Sequence, residues 1–363
     1  MNFCYDSKAK STNLIKIFEE IELVLKLSPP QITCSLIDNK KGIFKQIIPI
    51  KSLKKSFEFE IKYNKISENT FLLEIISGPL KKSILTIEFK DDSGQSKINL
   101  NFDIKLGIKY KFFSSIIKKK LKLTNLALIK RLENLAYLLY NDKYPIKFEN
   151  NFSTMVLELS PEKQLFFDGW WLGDIHSSFI GGVYSKISFK DRTIVDVGAN
   201  IADSSIYFAT KGAKRVIALE PFPKNFNFGQ TNIKKNSFED VIELILSGCS
   251  AKTSKIQIDP NLSGLSYKME EAKGGQMINQ ITLKQISEKY QIDAGLLKMN
   301  CEGCEYDVIL NTPEKTLKNF SEILIQYHDG GEILSKRLSN IGFSIEEKKY
   351  SSKKGQIFAT LNM

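Results

Sequence analysis

The sequence predicts an α/β chain: a parallel sheet in its C-terminal half, preceded by a β-rich N-terminal domain and a basic helical connector. Three observations carry this expectation. From about Gln31 to Lys109 short runs alternate apolar and polar residues (QITCSLID, SFEFEIKY, TFLLEIIS, SILTIEFKDD, KINLNFDIKL) between turn-like breaks such as DNKKG, SGPLKK and DDSGQS, the pattern of antiparallel strands with one buried face. Between Asp103 and Glu133 there is no acid, while eight lysines and Arg131 fall there. From Arg192 onward, continuous apolar runs alternate with helical segments, as in a parallel sheet covered on both faces.

Taken in order, a short helix is expected near Leu14 to Leu27, then the strands, with a first domain over residues 1–110. The text FFSSIIKKKLKLTNLALIKRLENLAYLLY reads as one or two basic helices within a connector over 111–160. The last domain spans 161–363. There TIVDVG is a strand ending in an acid and a glycine, SSIYFATKG a helix closed by Gly212, RVIALEP a second strand and NFNFGQTNIKKN a second helix. VIELIL, KIQID, MINQI, the helix TLKQISEKY, the strand GLLKMN, the helix CEYDVIL, the strand SEILIQYH and the helix EILSKRLSNI follow. The closing strands FSIEEK and QIFATLNM are joined by the short turn YSSKKG, so they should pair antiparallel at one end of the sheet.

Composition narrows the function. With 363 residues, 42% of them hydrophobic, the chain can bury a core in each of two domains. Residues 1–150 hold 27 Lys and Arg against 16 Asp and Glu, so they carry the whole net charge of +11 and the remainder is neutral. Residues 104–132 could therefore dock on an anionic membrane surface or an acidic glycan, or form a solvated linking helix. Only four arginines occur and no aromatic-rich RNA-binding motif is visible, which disfavours nucleic acid. The opening MNFCYDSKAKSTNLIK lacks the apolar core of a secretory signal and no long uncharged apolar window appears. The expectation is a cytoplasmic protein, with peripheral membrane contact if the basic stretch docks. Five scattered cysteines argue for reduced thiols, and Cys301 and Cys304, with only His176 and His328 to complete a set, do not make a zinc site. No metal is expected. The pair Trp170 and Trp171 reads as core packing ahead of the second domain.

The chemistry begins at VDVGANIADSS. In an open α/β sheet the first strand-to-helix turn carries the glycine that lets backbone approach a ligand, here Gly198. The second and third glycines of a dinucleotide fingerprint fall on Asn200 and Asp203, which argues against a nicotinamide-dependent oxidoreductase. Glu220, at the tip of the second strand, can accept bonds from two ribose hydroxyls. A nucleoside without a pyrophosphate suits this pair, and S-adenosylmethionine is the commonest such cofactor.

Four stretches, VDVGANIADSS, ALEPFPKNFNFGQTNIKKN, the pair TLKQISEKY and LLKMNCEGCEYDVIL, and SEILIQYH, resemble the FkbM-type methyltransferases, and GDIHSSFIGGVYSKI is similar to the helix that precedes the first strand there. The resemblance covers about 165–363. It implies a Rossmann-like S-adenosylmethionine methyltransferase sheet with an antiparallel last strand. It also implies that Asp196, Gly198, Ala199 and Asn200 form the methionine end of the cofactor site, with Glu220 on the ribose, Pro221 and Phe222 near the adenine, and Ser247 and Gly248 at its edge. The family's aspartate before the Glu-Gly step is Asn300 here, and the acid before the histidine of the fifth strand is Gln326. Asn300 would still contact the cofactor.

Methyl transfer needs an acceptor oxygen held in line with the methyl carbon, and a base beside it would add about 10²- to 10⁴-fold. The candidates are His328, suited to take a proton near neutral pH, and Glu302, which would orient the acceptor or, with His328, hold a cation. For each a plain structural role, a strand-end histidine and a helix-terminus acid, stands beside the catalytic one. The expected activity is O-methylation of a hydroxyl on a sugar, glycan or related small metabolite. The alternative is a binding or scaffold protein that keeps the fold, made plausible by Asn300 and Gln326.

Overall fold

The computed structural model describes residues 1–27, 33–50, 55–92, 95–107, 114–139, 146–260 and 275–362. Two compact units result, Met1–Phe152 with Leu157–Lys163, and Ser153–Val156 with Gln164–Met363.

The first unit runs β1 (Asn2–Ser7), α1 (Ser11–Glu19), α2 (Ile21–Lys26), β2 (Thr33–Asp38), β3 (Ile43–Ile50), β4 (Lys55–Ser67), β5 (Thr70–Ile75), β6 (Ile84–Asp92), β7 (Gln95–Asp103), α3 (Ser114–Leu139) and β8 (Ile146–Glu149). Strands β1 to β7 form one antiparallel sheet of order β1-β7-β6-β5-β4-β3-β2. The period-2 pattern is what builds it: Leu85, Ile87 and Phe89 of β6 and Ile98, Leu100 and Phe102 of β7 point to the buried face while their neighbours are more open. Phe18 of α1 packs its ring 4.9 Å from Phe71 and 5.6 Å from Phe89.

Where one helix was expected over Leu14 to Leu27, the chain breaks at Glu20, whose φ and ψ of −90° and 84° are not helical. The reason lies in the apolar stripe. Leu14, Ile17, Phe18 and Ile21 share one helical face, but Leu23 and Leu27 would fall on the opposite one, and the break lets all six be buried.

The basic stretch forms a single helix. In α3 the stripe Ile117, Ile129, Leu132 and Leu135 is buried, and Lys118, Lys119, Lys122 and Lys130 are exposed. Glu133 accepts hydrogen bonds from Tyr5 Oη (2.9 Å), Ser7 Oγ (3.0 Å) and the Lys8 backbone, fastening α3 to the end of β1. Residues 108–113, including Lys109 and Lys111 of the basic stretch, lie outside the described residues.

The chain passes on through β9 (Thr154–Ser160) and β10 (Lys163–Asp168) to α4 (Leu172–Ile175) and a π-helical turn, His176–Ile180. Trp170 is buried, in line with core packing. Then come β11 (Thr193–Val197), α5 (Asp203–Thr210), β12 (Arg215–Glu220), α6 (Pro223–Lys235), β13 (Ile242–Cys249), β14 (Ser254–Ile258), β15 (Gln276–Ile281), α7 (Leu283–Lys289), β16 (Gly295–Met299), α8 (Cys304–Asn311), α9 (Glu314–Leu317), β17 (Phe320–Tyr327), α10 (Glu332–Asn340), β18 (Phe343–Lys349) and β19 (Gly355–Leu361). Helix α7 starts on a capping box, Thr282 Oγ1 accepting from the Gln285 N–H and Gln285 Oε1 accepting in turn from the Thr282 N–H.

These strands form a nine-stranded sheet of order β14-β15-β13-β12-β11-β16-β17-β19-β18. Pairings from β15 through β17 are parallel, β17/β19 is antiparallel, and β18/β19 is antiparallel as the short YSSKKG turn requires. A second antiparallel partner, β14, closes the other edge. Ile194, Val195, Asp196 and Val197 of β11 are all buried, because both faces of the sheet are covered. The chain order reverses at β11, with β12 on one side and β16 on the other, which opens a crevice at the carboxyl ends of these strands.

The opposite ends are fastened by one side chain. Arg192, just ahead of β11, donates to Ser321 Oγ (2.8 Å), Gly295 O (3.3 Å) and Ser188 O (3.3 Å) and pairs with Glu322. It thereby ties the starts of β11, β16 and β17 together. No helix among the described residues is long and apolar enough to cross a membrane.

Candidate cofactor site

The crevice holds a cavity of about 120 Å³. Gly198, Asn200, Glu220, Pro221, Phe222, Ser247, Gly248, Asn300 and Glu302 line it, so most of the residues singled out in the sequence are brought to one place. Asp196 and Ala199 are not in its wall; both are fully buried behind it.

The floor is the turn after β11. Gly198 has φ +80°, and a Cβ there would stand 2.1 Å from the Asn300 carbonyl oxygen, so only glycine permits the β16 loop to approach this closely. The N–H groups of Gly198 and Ala199 both donate to Leu219 O (3.0 and 2.9 Å), and the Asn300 N–H donates to Val197 O (3.0 Å). The backbone of the turn is thus held from both sides. Asn200 and Ala202 also take left-handed conformations, φ +52° and +64°, turning the chain into α5.

Asp196 anchors the floor from below. Its Oδ2 accepts from Ser204 and Ser205 Oγ (2.7 Å each), and Lys298 Nζ forms an ion pair with its Oδ1 at 2.7 Å. Lys298 also donates to Gly198 O at 2.9 Å. Two more acids approach this lysine, Asp203, which takes a bond from Ser178 Oγ at 2.5 Å, and Asp174, which takes one from Asn200 Nδ2 at 2.6 Å. One cation among three enclosed acids leaves excess negative charge. Burial pushes the Asp203 carboxyl up to about 6 and holds that of Asp174 well above the carboxylate range, with Lys298 pulling both the other way.

Glu220 is the far wall. Its two oxygens accept the N–H groups of Asn200 (2.8 Å) and Phe222 (2.9 Å), and each keeps a second lone pair for a ligand hydroxyl. Burial raises its carboxyl to about 7, against those two hydrogen bonds. A carboxyl raised in the folded state binds its proton more tightly there than in the unfolded chain, so its stabilising contribution is complete below about 4.5 and is lost as pH climbs to about 7. Glu220→Gln should flatten that part of the stability profile, checked by denaturant midpoints from pH 4.5 to 8; an unaltered slope would refute the assignment.

Asn200 Oδ1 and Asn300 Oδ1 are buried polar atoms without a hydrogen-bond partner, and both residues line the cavity. Two orphaned acceptors beside a glycine cradle and a carboxylate suit a ligand that brings its own N–H and O–H donors. The residues present therefore fit a nucleoside with an amino-acid tail.

At the mouth, His328 Nε2 lies 3.3 Å from Glu302 Oε1 and its Nδ1 3.8 Å from Glu305 Oε1. Glu302 sits at φ +55°, a conformation uncommon outside glycine and asparagine, and burial raises its carboxyl while His328 and Lys354 pull it down. Glu305 is fully buried and accepts the N–H groups of Cys301 (2.9 Å) and Gly303 (2.7 Å). His328 itself is outside the cavity wall and touches it through Glu302. Cys301 and Cys304 are joined by a disulfide, which corrects the expectation of reduced thiols for this pair and not for Cys4, Cys34 and Cys249. The left-handed Glu302 and Gly303 fold the loop back so that the two sulfurs meet. No group of three or more His, Cys, Asp or Glu among the described residues could hold a metal ion.

Residues 196–344 match the Methyltransferase FkbM domain. The C-terminal part of the chain thus carries the FkbM resemblance seen in its motifs, and a methyltransferase in general is supported. The matched span runs from Asp196 to the start of β18 and contains every cavity and mouth residue singled out in the sequence, while Asp174 of the cavity wall lies ahead of it. A curated relative, the uncharacterized protein 158B of Sulfolobus islandicus rod-shaped virus 1, is 27% identical over 150 residues, covering 41% of this chain and 68% of its own. Among solved structures, a conserved protein from Geobacillus kaustophilus is similar at 14% identity and TM-score 0.32, covering 37% of this chain and 93% of its own. A major latex-like protein from Panax ginseng is similar at 13% and 0.31, covering 38% and 95%. At these TM-scores the likenesses carry no assignment.

Sequence reading missed three contributors, Asp174, Asp203 and Lys298. The signal for Lys298 was present, because a lysine inside the apolar run GLLKM must bury its charge against an acid. Asp174 lies in GDIHSSFIGGVYSKI, whose resemblance marks a helix ahead of the first strand, but nothing in its own spacing directs its carboxylate to the crevice.

Proposed function

We propose that the FkbM domain is an S-adenosylmethionine-dependent methyltransferase acting on a hydroxyl of a sugar, glycan or related small metabolite. The observation that carries the reading is the cavity at the strand-order reversal, where the Gly198 cradle, Glu220 and two orphaned amide oxygens converge. The strand order β13-β12-β11-β16-β17-β19-β18, with its antiparallel β19, supports a Rossmann-like methyltransferase sheet. Bound there, the cofactor would supply an electrophilic methyl group. Glu220 would hold the ribose hydroxyls, Phe222 and Pro221 the adenine side, and Asn200 with Asp174 the amino-acid end.

At the mouth the chain's own groups serve the acceptor. Glu302 holds the His328 imidazole by Nε2, and the pair can take the proton that an acceptor hydroxyl loses. His328→Ala should lower turnover on a carbohydrate-panel substrate by about 10²-fold with cofactor affinity kept; full turnover would remove His328 from the proton path.

Calorimetry with S-adenosylmethionine tests the cofactor reading directly. Glu220→Ala should weaken binding by at least about tenfold, since two hydroxyls lose a carboxylate partner. Binding that the substitution leaves unchanged would refute the ribose role. The second reading, a scaffold that binds cofactor without transfer, is favoured by the amides Asn300 and Gln326 in the cavity wall. The exposed lysines of α3 support docking of the first unit on an anionic membrane or acidic glycan, read by flotation with vesicles containing anionic lipid.

A further inference from the structure

We propose that Cys301–Cys304 is a reversible thiol–disulfide site that couples the redox state of the loop after β16 to ligand binding in the crevice. The proposal rests on the cofactor reading above. Both cysteines line the cavity and both are partly exposed, so a small or protein dithiol can reach them. Between them stand the two left-handed residues, Glu302 (φ +55°) and Gly303 (φ +126°). The same loop presents Asn300, whose carbonyl lies against Gly198 and whose side-chain oxygen is one of the orphaned acceptors.

The chemistry is a two-electron exchange. A thiolate of the reductant attacks one sulfur and the Cys301–Cys304 bond breaks to a mixed disulfide. The reductant's second thiol then displaces that cysteine and closes its own disulfide. Cys301 and Cys304 leave as thiols carrying two electrons and two protons, and the dithiol is oxidised. Reduction lengthens the leash on the turn, leaving the two Glu305 hydrogen bonds and the Asn300 N–H on Val197 O to hold it. The open loop samples more conformations, and a ligand must then bear the cost of ordering Asn300 and Glu302. The oxidised form is therefore the tighter binder.

The test uses the full chain and S-adenosylhomocysteine as probe. Calorimetry on air-oxidised and dithiothreitol-reduced protein should show affinity about tenfold weaker after reduction, within the usual range of site-to-site coupling. By linkage, saturating probe should make the midpoint potential of the pair more negative by about 30 mV, the same tenfold in a two-electron couple. The double variant C301S/C304S should bind like the reduced protein and ignore reductant. Equal affinities with an unmoved midpoint, or alkylation that finds both cysteines as thiols after air oxidation, would overturn the proposal. Should a mapped disulfide coexist with no probe binding in either state, the cofactor reading falls and the coupling with it.

Discussion

Lys298→Met is expected to destabilise the second unit by about 3–5 kcal/mol, the usual cost of stranding one member of a buried ion pair. Lys298 and Asp196 are almost wholly shielded from water and stand 2.7 Å apart. Ser204 and Ser205 satisfy one carboxylate oxygen, but they supply no positive charge, and Asp203 and Asp174 add repulsion once the lysine is gone. The measurement is convenient because both tryptophans, Trp170 and Trp171, belong to this unit. Their fluorescence follows its urea transition directly. Pairing the change with Asp196→Leu should recover much of the loss, since two apolar side chains need no counter-charge. A single variant within about 0.5 kcal/mol of the parent, the ordinary range for a surface change, would refute the account of this pair.

Gly198→Ala should reduce cofactor affinity by about 100-fold or more, equal to about 2.7 kcal/mol. Two effects combine. A φ of +80° disfavours any residue with a Cβ, and the new carbon would meet a backbone oxygen at 2.1 Å, which no rotamer change can relieve. The turn and the β16 loop must separate, and Asn300 moves with the loop. Calorimetry with S-adenosylhomocysteine reads the loss, and tryptophan-monitored unfolding separates it from a general loss of structure. Affinity within threefold of the parent would show that the close approach of the two loops does not shape the cavity.

Much of this architecture was legible because its causes are local. One-sided burial writes a period of two into the β-rich unit, and two-sided burial writes continuous apolar runs into β11, β12 and β16. The turn glycine, the acid at the tip of β12 and the antiparallel closing pair follow from short-range geometry as well. The acid cluster does not. Asp174 reaches the crevice from α4, and its neighbours on the chain carry no periodic mark of that destination. The disulfide was misread for a similar reason: CEGC fixes a spacing, whereas bond formation depends on two consecutive left-handed residues that the Glu-Gly step only permits. The break at Glu20 was hidden by an apolar stripe that continues in register across it, and only Leu23 and Leu27, off that stripe, hinted at the turn.

The fastening of the strand starts by Arg192 gives the sheet a polarity in time as well as in space. The amide protons of Gly295 and Leu296, next to the clamp, should exchange with solvent only when the whole unit opens. Those of Asn300 and Cys301, five to six residues along the same stretch of chain, hang on a carbonyl of β11 and on the Glu305 carboxylate and should exchange through small local openings. Strand β16 behaves like a reed bound at the root: stillness at one end is the condition for movement at the other, and a ligand entering the crevice works against the loop beyond its tip.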